Sequence, residues 1–326
     1  MSTIFIRADG STETGYGHLM RCSVLANHLQ EAGHKVIWIT KNPRKLPWGF
    51  LGKGPFKVFD AEEGKDESAL SVILKAGGKK DDWIIIDSYK ITINDELKLR
   101  SNGFKVLTID DNCNRIFDCD ILLNPNPHAK ELKYKIDSKT IYLLGNEYIL
   151  FREDIISNTP VDKRSPPRQG LVVFGGTDRA KQTERIIKII FNTDFYWNVI
   201  LPADYSNYKP DSQYINYIQG PVDLKEYLKI SDLYIGSGGL TIHEMVFHGL
   251  LCLIISVASN QIPSSEYLHK NKVVNYLGHY RKVKDDLIRN EIIKTIKNGN
   301  KDQFLNLHGF IDGDGFKRVI SAMKLK

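Results

Sequence analysis

A histidine follows two glycines near the start of the chain, in the stretch TGYGHLMRC from Thr14 to Cys22. Gly15 and Gly17 would let the backbone approach a ligand closely, and His18 would stand in the first turn of a helix. The positive end of a helix disfavours an added proton on an imidazole ring, so we expect His18 to be neutral at pH 7. A neutral ring nitrogen can take a proton from water, as a general base does. A capping or packing role for His18 fits these residues equally well.

Two more glycine-rich turns follow apolar runs later in the chain. VVFGGTD spans Val172 to Asp178, and IGSGGLTIHE spans Ile235 to Glu244. Backbone N–H groups at a helix start can hold an anion, although a residue such as Thr177 or Asp178 also serves simply as an N-cap. Three such turns in one chain favour phosphate binding, and a diphosphate with a neighbouring ribose would suit them. The residues expected to contact it are Gly176, Thr177, Ser237, Gly238, Gly239 and, at the ribose diol, Glu244.

Other ligand-binding signatures are incomplete in this sequence. The GYGHLM turn has Met20 where a dinucleotide fingerprint needs its third glycine, and no acid follows the second strand, which argues against a nicotinamide cofactor. HEMVFH, from His243 to His248, has three residues between its glutamate and its second histidine, so the two histidines do not share a helix face. No Cys-x-x-Cys pair occurs. We therefore expect no metal and no cofactor.

Acidic residues end two further apolar runs. WIIID leads into Ser88 and Tyr89, and VLTID leads into Asp111 and Asn112. Asp87 and Tyr89 come at the end of a wholly apolar strand, so we expect them to line a binding cleft. For Asp111, a turn-forming or capping role is the better prediction.

Short apolar runs alternate with amphipathic stretches along the sequence, which is typical of parallel sheets covered by helices on both faces. A proline-rich, charged stretch, SNTPVDKRSPPRQG from Ser157 to Gly170, interrupts the pattern and predicts a linker. The sequence therefore predicts an α/β fold of two doubly wound, Rossmann-like domains facing across a cleft that holds the site. The predicted boundaries are 1–156 for the first domain, 157–170 for the linker, 171–312 for the second domain and 313–326 for a closing helix.

Length and charge limit the class of partner. The 326 residues are 42% hydrophobic, which is enough for two domains with sizeable cores. A net charge of +6 without a dense basic patch suits an anionic small molecule, and nothing in the pattern indicates a nucleic-acid partner. The N-terminal residues lack the features of a signal peptide, and no apolar run approaches the ~20 residues of a membrane span. We expect a cytoplasmic monomer with reduced cysteines and no membrane contact.

Several motifs occur in order along most of the chain. They are IRADGSTETGYGHLMRCSVLANHL, IIIDSY, IDDN with CDILLNPNPHA, VVFGGTD, GSGGLTIHEMVFHG with SNQ, and IDGDGFKRVISAM. Taken together they resemble one known family, the UDP-2,4-diacetamido-2,4,6-trideoxy-β-L-altropyranose hydrolases of pseudaminic acid biosynthesis. The resemblance runs from Ile4 to Gln261, with one further motif near the end of the chain.

The resemblance implies a glycosyltransferase-B-like fold and hydrolysis of the UDP-sugar to free sugar and UDP. It further implies that water attacks the anomeric carbon with inversion and C–O cleavage, without an essential metal. Within the loop formed by Gly15, Tyr16, Gly17 and His18, the histidine would be the general base. The remaining implied contacts are Tyr89, Asn260 and Gln261 on the sugar side, Gly176, Thr177, Ser237, Gly238, Gly239 and Leu240 on the UDP side, and Glu244 at the ribose.

Three other functions stay open on the sequence alone. An inverting UDP-sugar glycosyltransferase would use an acceptor hydroxyl in place of water, and its UDP release would depend on an added acceptor. A UDP-sugar 2-epimerase that also hydrolyses its substrate would place solvent deuterium on the sugar carbon next to the anomeric centre. A non-catalytic sugar-nucleotide binder would bind UDP and release nothing.

Overall fold

The chain forms two units of parallel β-sheet and helices. The computed structural model describes residues 2–10, 15–46, 51–61, 69–135, 139–157, 163–175, 178–206, 208–220 and 222–325. The first unit comprises residues 1–153 and 313–326, and the second comprises residues 154–312. The predicted α/β class with two doubly wound sheets is confirmed.

The first unit contains a seven-stranded parallel sheet with the order β3-β2-β1-β4-β5-β6-β7. Its strands are β1 (Thr3–Ala8), β2 (Lys35–Thr40), β3 (Lys57–Asp60), β4 (Trp83–Asp87), β5 (Lys105–Ile109), β6 (Ile121–Asn124) and β7 (Ile141–Leu144). Its helices are α1 (Gly17–Glu31), α2 (Ala69–Lys75) and α3 (Ile93–Ser101), and the chain passes to the second unit within α4 (Glu153–Ile156). The central strands are buried on both faces, which explains their unbroken apolar sequences.

The second unit contains a six-stranded parallel sheet with the order β10-β9-β8-β11-β12-β13. Its strands are β8 (Gln169–Val173), β9 (Tyr196–Leu201), β10 (Ile215–Gln219), β11 (Leu233–Gly236), β12 (Leu251–Ser256) and β13 (Asn275–His279). Its helices are α5 (Gln182–Ile190), α6 (Lys225–Ile230), α7 (Thr241–Phe247), α8 (Ile262–Lys270), α9 (Asp285–Asn298) and α10 (Lys301–Leu307).

The end of the chain returns to the first unit as α11 (Gly315–Ala322). Val319 and Met323 join the core formed by β1 and α1, and Phe316 stacks on the ring of His28 with centroids 3.7 Å apart. Of the stretch predicted as a linker, residues 158–162 lie outside the described residues, whereas Lys163 is buried in the second unit.

Both sheets reverse their strand order at a central pair, β1 with β4 in the first unit and β8 with β11 in the second. In open α/β sheets, ligands bind at the carboxyl ends of the strands next to such a reversal. The GYGH loop follows β1, Asp87 ends β4, and the GSGG turn begins at the end of β11. The fold therefore puts most of the residues singled out from the sequence at or just after these three strand ends.

Candidate active site

His18 and Asp87 meet at the carboxyl edge of the first unit's sheet. β1 and β4 are adjacent parallel strands in which Ala8 lies opposite Asp87, so the loop after β1 and the end of β4 share one edge. Gly15 has a φ of +81°, a conformation that favours glycine, and α1 then begins at Gly17. This turn places His18 Nδ1 2.9 Å from Asp87 Oδ1. The predicted base and a carboxylate are therefore in direct contact.

The ionisation of Asp87 decides which ring nitrogen of His18 carries the proton. Burial raises the pKa of Asp87, but the charge and hydrogen bonds of Arg21 outweigh burial and hold that pKa well below its usual range. An ionised carboxylate only accepts hydrogen bonds, so a neutral His18 donates from Nδ1 and keeps its lone pair on Nε2. Nε2 makes no hydrogen bond to any residue in the described part of the chain. The pair has the arrangement of a general base with an orienting carboxylate.

The protonation of His18 differs from the expectation based on its place in the helix. Burial of the ring lowers its pKa, yet the hydrogen bond and the charge of Asp87 raise it, and the net pKa lies above the ordinary value of 6.5. The predicted direction was wrong because the helix end was considered without the carboxylate that β4 brings to Nδ1.

We expect an NMR titration of the His18 ring to give a midpoint above pH 6.5. Ionised Asp87 stabilises the imidazolium, so the ring keeps its proton until the pH rises past the ordinary value. Asp87→Asn removes that charge and is expected to lower the midpoint. A wild-type midpoint at or below 6.5 would contradict the pairing of His18 with Asp87.

Arg21 contacts Asp87 from the same helix face as His18, because residues three apart lie one turn along α1. Its Nε and Nη2 donate to Asp87 at 2.6 and 2.7 Å, and its Nη1 and Nη2 donate to Asp111 at 2.7 and 2.9 Å. Two such bidentate pairs fix the planes of both carboxylates. Arg21 was not among the residues predicted from the sequence, although its spacing of three residues from His18 on one helix indicated it.

Asp111 lies in the bend after β5, but its carboxylate belongs to this polar cluster and does not cap the backbone of that bend. Besides the guanidinium, its carboxylate accepts the Tyr89 hydroxyl at 2.9 Å and Asn126 Nδ2 at 2.9 Å. The predicted turn-forming role of Asp111 is therefore wrong. That role falls to the preceding residue, Asp110, whose carboxylate accepts two backbone N–H groups of the following loop.

Tyr89 lies beside the ring of His18. The two rings meet edge to face with centroids 4.8 Å apart, and Tyr89 is 59% exposed, so its ring is accessible to a ligand. Burial of the hydroxyl and the charge of Asp111 raise the Tyr89 pKa above its ordinary range, so the hydroxyl stays a neutral donor. The structure thus brings Asp87 and Tyr89, two of the predicted site residues, into contact with the imidazole ring of His18.

A second polar cluster ties together the ends of three strands next to the His18 loop. Asp9 follows β1 and accepts a hydrogen bond from Arg7, the backbone N–H of Lys41 at 3.1 Å and the hydroxyl of Ser88 at 3.2 Å. Burial raises the pKa of Asp9, but the lowering by Arg7 and the other hydrogen-bond donors is larger. The net pKa of Asp9 is therefore below the usual range. These bonds hold the loop after β1 against the ends of β2 and β4. This cluster was not predicted from the sequence.

In the second unit, the turn after β11 is closely packed. A Cβ on Gly236 would lie 2.2 Å from the carbonyl oxygen of Val173 on β8, and a Cβ on Gly238 would lie 2.3 Å from Ser265 Oγ. Gly239 has more room, since its Cβ would lie 3.6 Å from Gln261 Nε2. Two of these glycines are therefore required by packing alone, whatever binds to the turn.

The turn presents backbone donors. In the described part of the chain, the N–H groups of Gly238, Gly239 and Leu240 have no hydrogen-bond partner. Gln261 lies beside Gly239 and accepts the Val257 N–H at 2.9 Å.

Of the other residues predicted to bind the substrate from the second unit, Glu244 and Asn260 are described by the structure and two are not. Glu244 is half-buried on α7, which follows the turn directly, and Asn260 is exposed in the short segment before α8. Gly176 and Thr177 lie outside the described residues.

Three other features of the described residues bear on the chemistry: metal ligands, the Cys22 thiol and the length of the helices. Among the described residues, no group of three or more His, Cys, Asp or Glu side chains is arranged to hold a metal ion. Burial, together with the charge of Asp87, raises the pKa of the Cys22 thiol well above its usual range, so Cys22 is not a thiolate nucleophile. No helix within the described ranges has the length and apolar character needed to cross a membrane.

Comparisons with curated proteins identify two relatives that are named as hydrolases of one UDP-sugar. No family profile matches the sequence. The chain is 28% identical over 178 residues to the UDP-2,4-diacetamido-2,4,6-trideoxy-β-L-altropyranose hydrolase of Campylobacter jejuni, a match covering 54% of this chain and 61% of that protein. It is 21% identical over 264 residues to the pseudaminic acid cytidylyltransferase and UDP-2,4-diacetamido-2,4,6-trideoxy-β-L-altropyranose hydrolase of Helicobacter pylori, covering 80% of this chain and 46% of that protein. The chain spans less than two thirds of either relative's length.

Among solved structures, MurG of Acinetobacter baumannii matches with a TM-score of 0.69 at 14% identity, covering 99% of each chain. At this identity the likeness concerns the fold, which is a two-domain α/β fold of the glycosyltransferase-B type. The resemblance to the hydrolases that the sequence motifs indicated is confirmed by the two relatives.

Proposed function

We propose that this protein is a UDP-sugar hydrolase that converts UDP-2,4-diacetamido-2,4,6-trideoxy-β-L-altropyranose to the free sugar and UDP, a step of pseudaminic acid biosynthesis. The observation that carries the proposal is the His18–Asp87 pair, with Nδ1 2.9 Å from the carboxylate and Nε2 without a partner among the described residues. The hydrolase relatives support the choice of substrate. We further propose that the protein acts in the cytoplasm as a monomer.

In the proposed reaction, Nε2 of His18 takes a proton from water as the water oxygen attacks the anomeric carbon. The bond between that carbon and the phosphate oxygen breaks, and its electron pair leaves with UDP, so the sugar is released with inverted configuration. Asp87 keeps Nδ1 protonated and stabilises the imidazolium that forms. UDP is a good leaving group, so an activated water and stabilisation of the diphosphate charge meet the main chemical needs.

For the nucleotide, we propose contacts from the second unit. The free N–H groups of Gly238, Gly239 and Leu240 suit phosphate oxygens, and Gly176, Thr177 and Ser237 complete the proposed set. Glu244 suits the ribose diol as a hydrogen-bond acceptor. Tyr89, Asn260 and Gln261, with the loop Gly15, Tyr16 and Gly17, are proposed for the sugar.

We expect Glu244→Gln to weaken UDP binding about 10- to 100-fold, since a hydrogen bond to a charged group contributes about 1.5–3 kcal/mol. Isothermal titration with UDP measures this change. Glu226→Gln is the matched control, because Glu226 is 73% exposed on α6 and pairs with the neighbouring Lys229 on the same helix. Equal UDP affinity in wild type and Glu244→Gln would remove Glu244 from the proposed site.

The proposed function is tested by phosphorus NMR of the UDP-sugar with enzyme, first without and then with sugar acceptors. UDP release without an acceptor supports the hydrolase. Release only with an acceptor would establish a glycosyltransferase, the alternative that the MurG-like fold favours. Deuterium from solvent on the carbon next to the anomeric centre would instead mark a hydrolysing 2-epimerase, and binding without any release would mark a sugar-nucleotide binder.

A further inference from the structure

Arg21 occupies an unusual place for an arginine, since its guanidinium bridges two carboxylates and its side chain is only 6% exposed. All four of its hydrogen bonds to Asp87 and Asp111 are between 2.6 and 2.9 Å. Asp87 contacts the His18 ring directly, whereas Asp111 reaches that environment through the Tyr89 hydroxyl. Arg21 therefore lies between two carboxylates whose negative charges would otherwise both stabilise the protonated form of the His18 ring.

The charges around His18 come from three elements. Asp87 ends β4, Asp111 follows β5, and Arg21 lies on α1 with the histidine itself. Among the described residues, the other titratable groups that face this cluster are the hydroxyl of Tyr89, the thiol of Cys22 and the ring of His128. Burial raises the pKa of Tyr89 and of Cys22 and lowers that of His128, so all three are neutral at pH 7. Within the described part of the chain, the two carboxylates and one guanidinium therefore leave a single net negative charge beside the ring.

We propose that Arg21 is a positioning residue for the His18 base. It holds Asp87 in line with Nδ1, and it cancels the charge of Asp111. The ring consequently faces one uncompensated carboxylate, which orients it without fixing it permanently as the imidazolium. The inference rests on the proposed function, in which His18 acts as a base.

Changing the charges should move the protonation of His18 in opposite directions. Arg21→Gln leaves two carboxylates around the ring, which stabilise the imidazolium, so the titration midpoint of His18 rises by about one pH unit. Asp111→Asn leaves Arg21 and Asp87 to neutralise each other, so the midpoint falls by about one pH unit. The double variant restores one net negative charge and is expected to return the midpoint close to the wild-type value.

Arg21→Lys separates the charge from the geometry. Lysine keeps the positive charge but cannot form two bidentate pairs, so Asp87 loses its fixed orientation. The His18 midpoint is expected to stay near that of wild type. Turnover of the UDP-sugar is expected to fall about 10- to 100-fold, because a general base that is poorly oriented loses part of its contribution to the rate. The Kd for UDP should not change.

Arg100 is a matched control in the same unit. It also pairs with two carboxylates, Asp118 and Asp120, but these lie at the amino ends of the strands, where Asp120 caps the start of β5 through Val106. Arg100→Gln is therefore expected to leave both the His18 midpoint and the turnover unchanged.

The experiment is an NMR titration of the His18 ring in the full chain for each variant, followed by turnover against pH. Opposite shifts that cancel in the double variant support the proposal. Shifts in the same direction, or a double variant displaced further than either single one, would overturn it. If Arg21→Gln does not fold, Asp111→Asn must still lower the midpoint, and an unchanged or raised midpoint would overturn the proposal. Titration needs no substrate, so a wild-type protein that releases no UDP refutes the proposed function and not the charge balance.

Discussion

His18→Asn is expected to lower turnover of the UDP-sugar by about 1,000-fold and to leave the Kd for UDP unchanged, since a positioned general base contributes about 100- to 10,000-fold. Asparagine keeps a polar side chain in the first turn of α1 but offers no nitrogen that can take a proton from water. Nucleotide affinity should persist because the proposed UDP contacts come from the second unit. Steady-state kinetics and isothermal titration with UDP measure the two quantities separately.

His28→Asn is the control for this variant. His28 lies on the same helix near its other end, where its ring stacks on Phe316, so a loss specific to His18 should not appear there. If His18→Asn retains wild-type turnover, His18 is not the base. If it loses UDP binding together with turnover, His18 has a structural role.

Asp87→Asn is expected to reduce turnover by about 1,000-fold or more, as the loss of an orienting carboxylate does in hydrolytic triads. Arg21 donates to both oxygens of Asp87, and His18 donates to Oδ1 as well. An asparagine must turn its NH₂ group toward one of these donors. Where it faces the ring, Nδ1 becomes the acceptor, the proton moves to Nε2, and the base is lost.

The same substitution should destabilise the first unit. Removing one partner of a buried ion pair costs about 3–5 kcal/mol, and Asp87 is almost fully buried. Turnover must therefore be measured at a temperature where circular dichroism shows the variant to be folded. A folded Asp87→Asn protein within tenfold of wild-type turnover would contradict the role of Asp87 as the orienting carboxylate of His18.

Much of the fold was available from the sequence because strands buried on both faces leave continuous apolar runs, as in WIIID and VLTID. Glycines after such runs also mark where the chain turns into a helix. These local patterns were sufficient to predict two parallel sheets and to place His18, Asp87 and the GSGG turn at strand ends.

The contacts within the candidate site depend on pairing between distant segments, which local patterns do not contain. His18 and Asp87 touch because β1 pairs with β4 and Ala8 lies opposite Asp87. Asp111 looked like a turn residue because its neighbour Asp110 is one, and only its contacts with Arg21 and Tyr89, two distant residues, show that Asp111 belongs with His18. The predicted direction of the His18 pKa shift was wrong for the same reason, since the main charged partner of His18 lies on the distant strand β4.

In the proposed mechanism, His18 is oriented by Asp87 and activates water for attack on the anomeric carbon. Single-turnover reaction of the UDP-sugar in ¹⁸O-water, with mass spectrometry of both products, tests it most directly. We expect one ¹⁸O atom in the free sugar, none in UDP, and loss of this reaction in His18→Asn. Label in UDP would show cleavage of the phosphate bond instead, and labelled sugar formed at the wild-type rate by His18→Asn would show that another group activates the water.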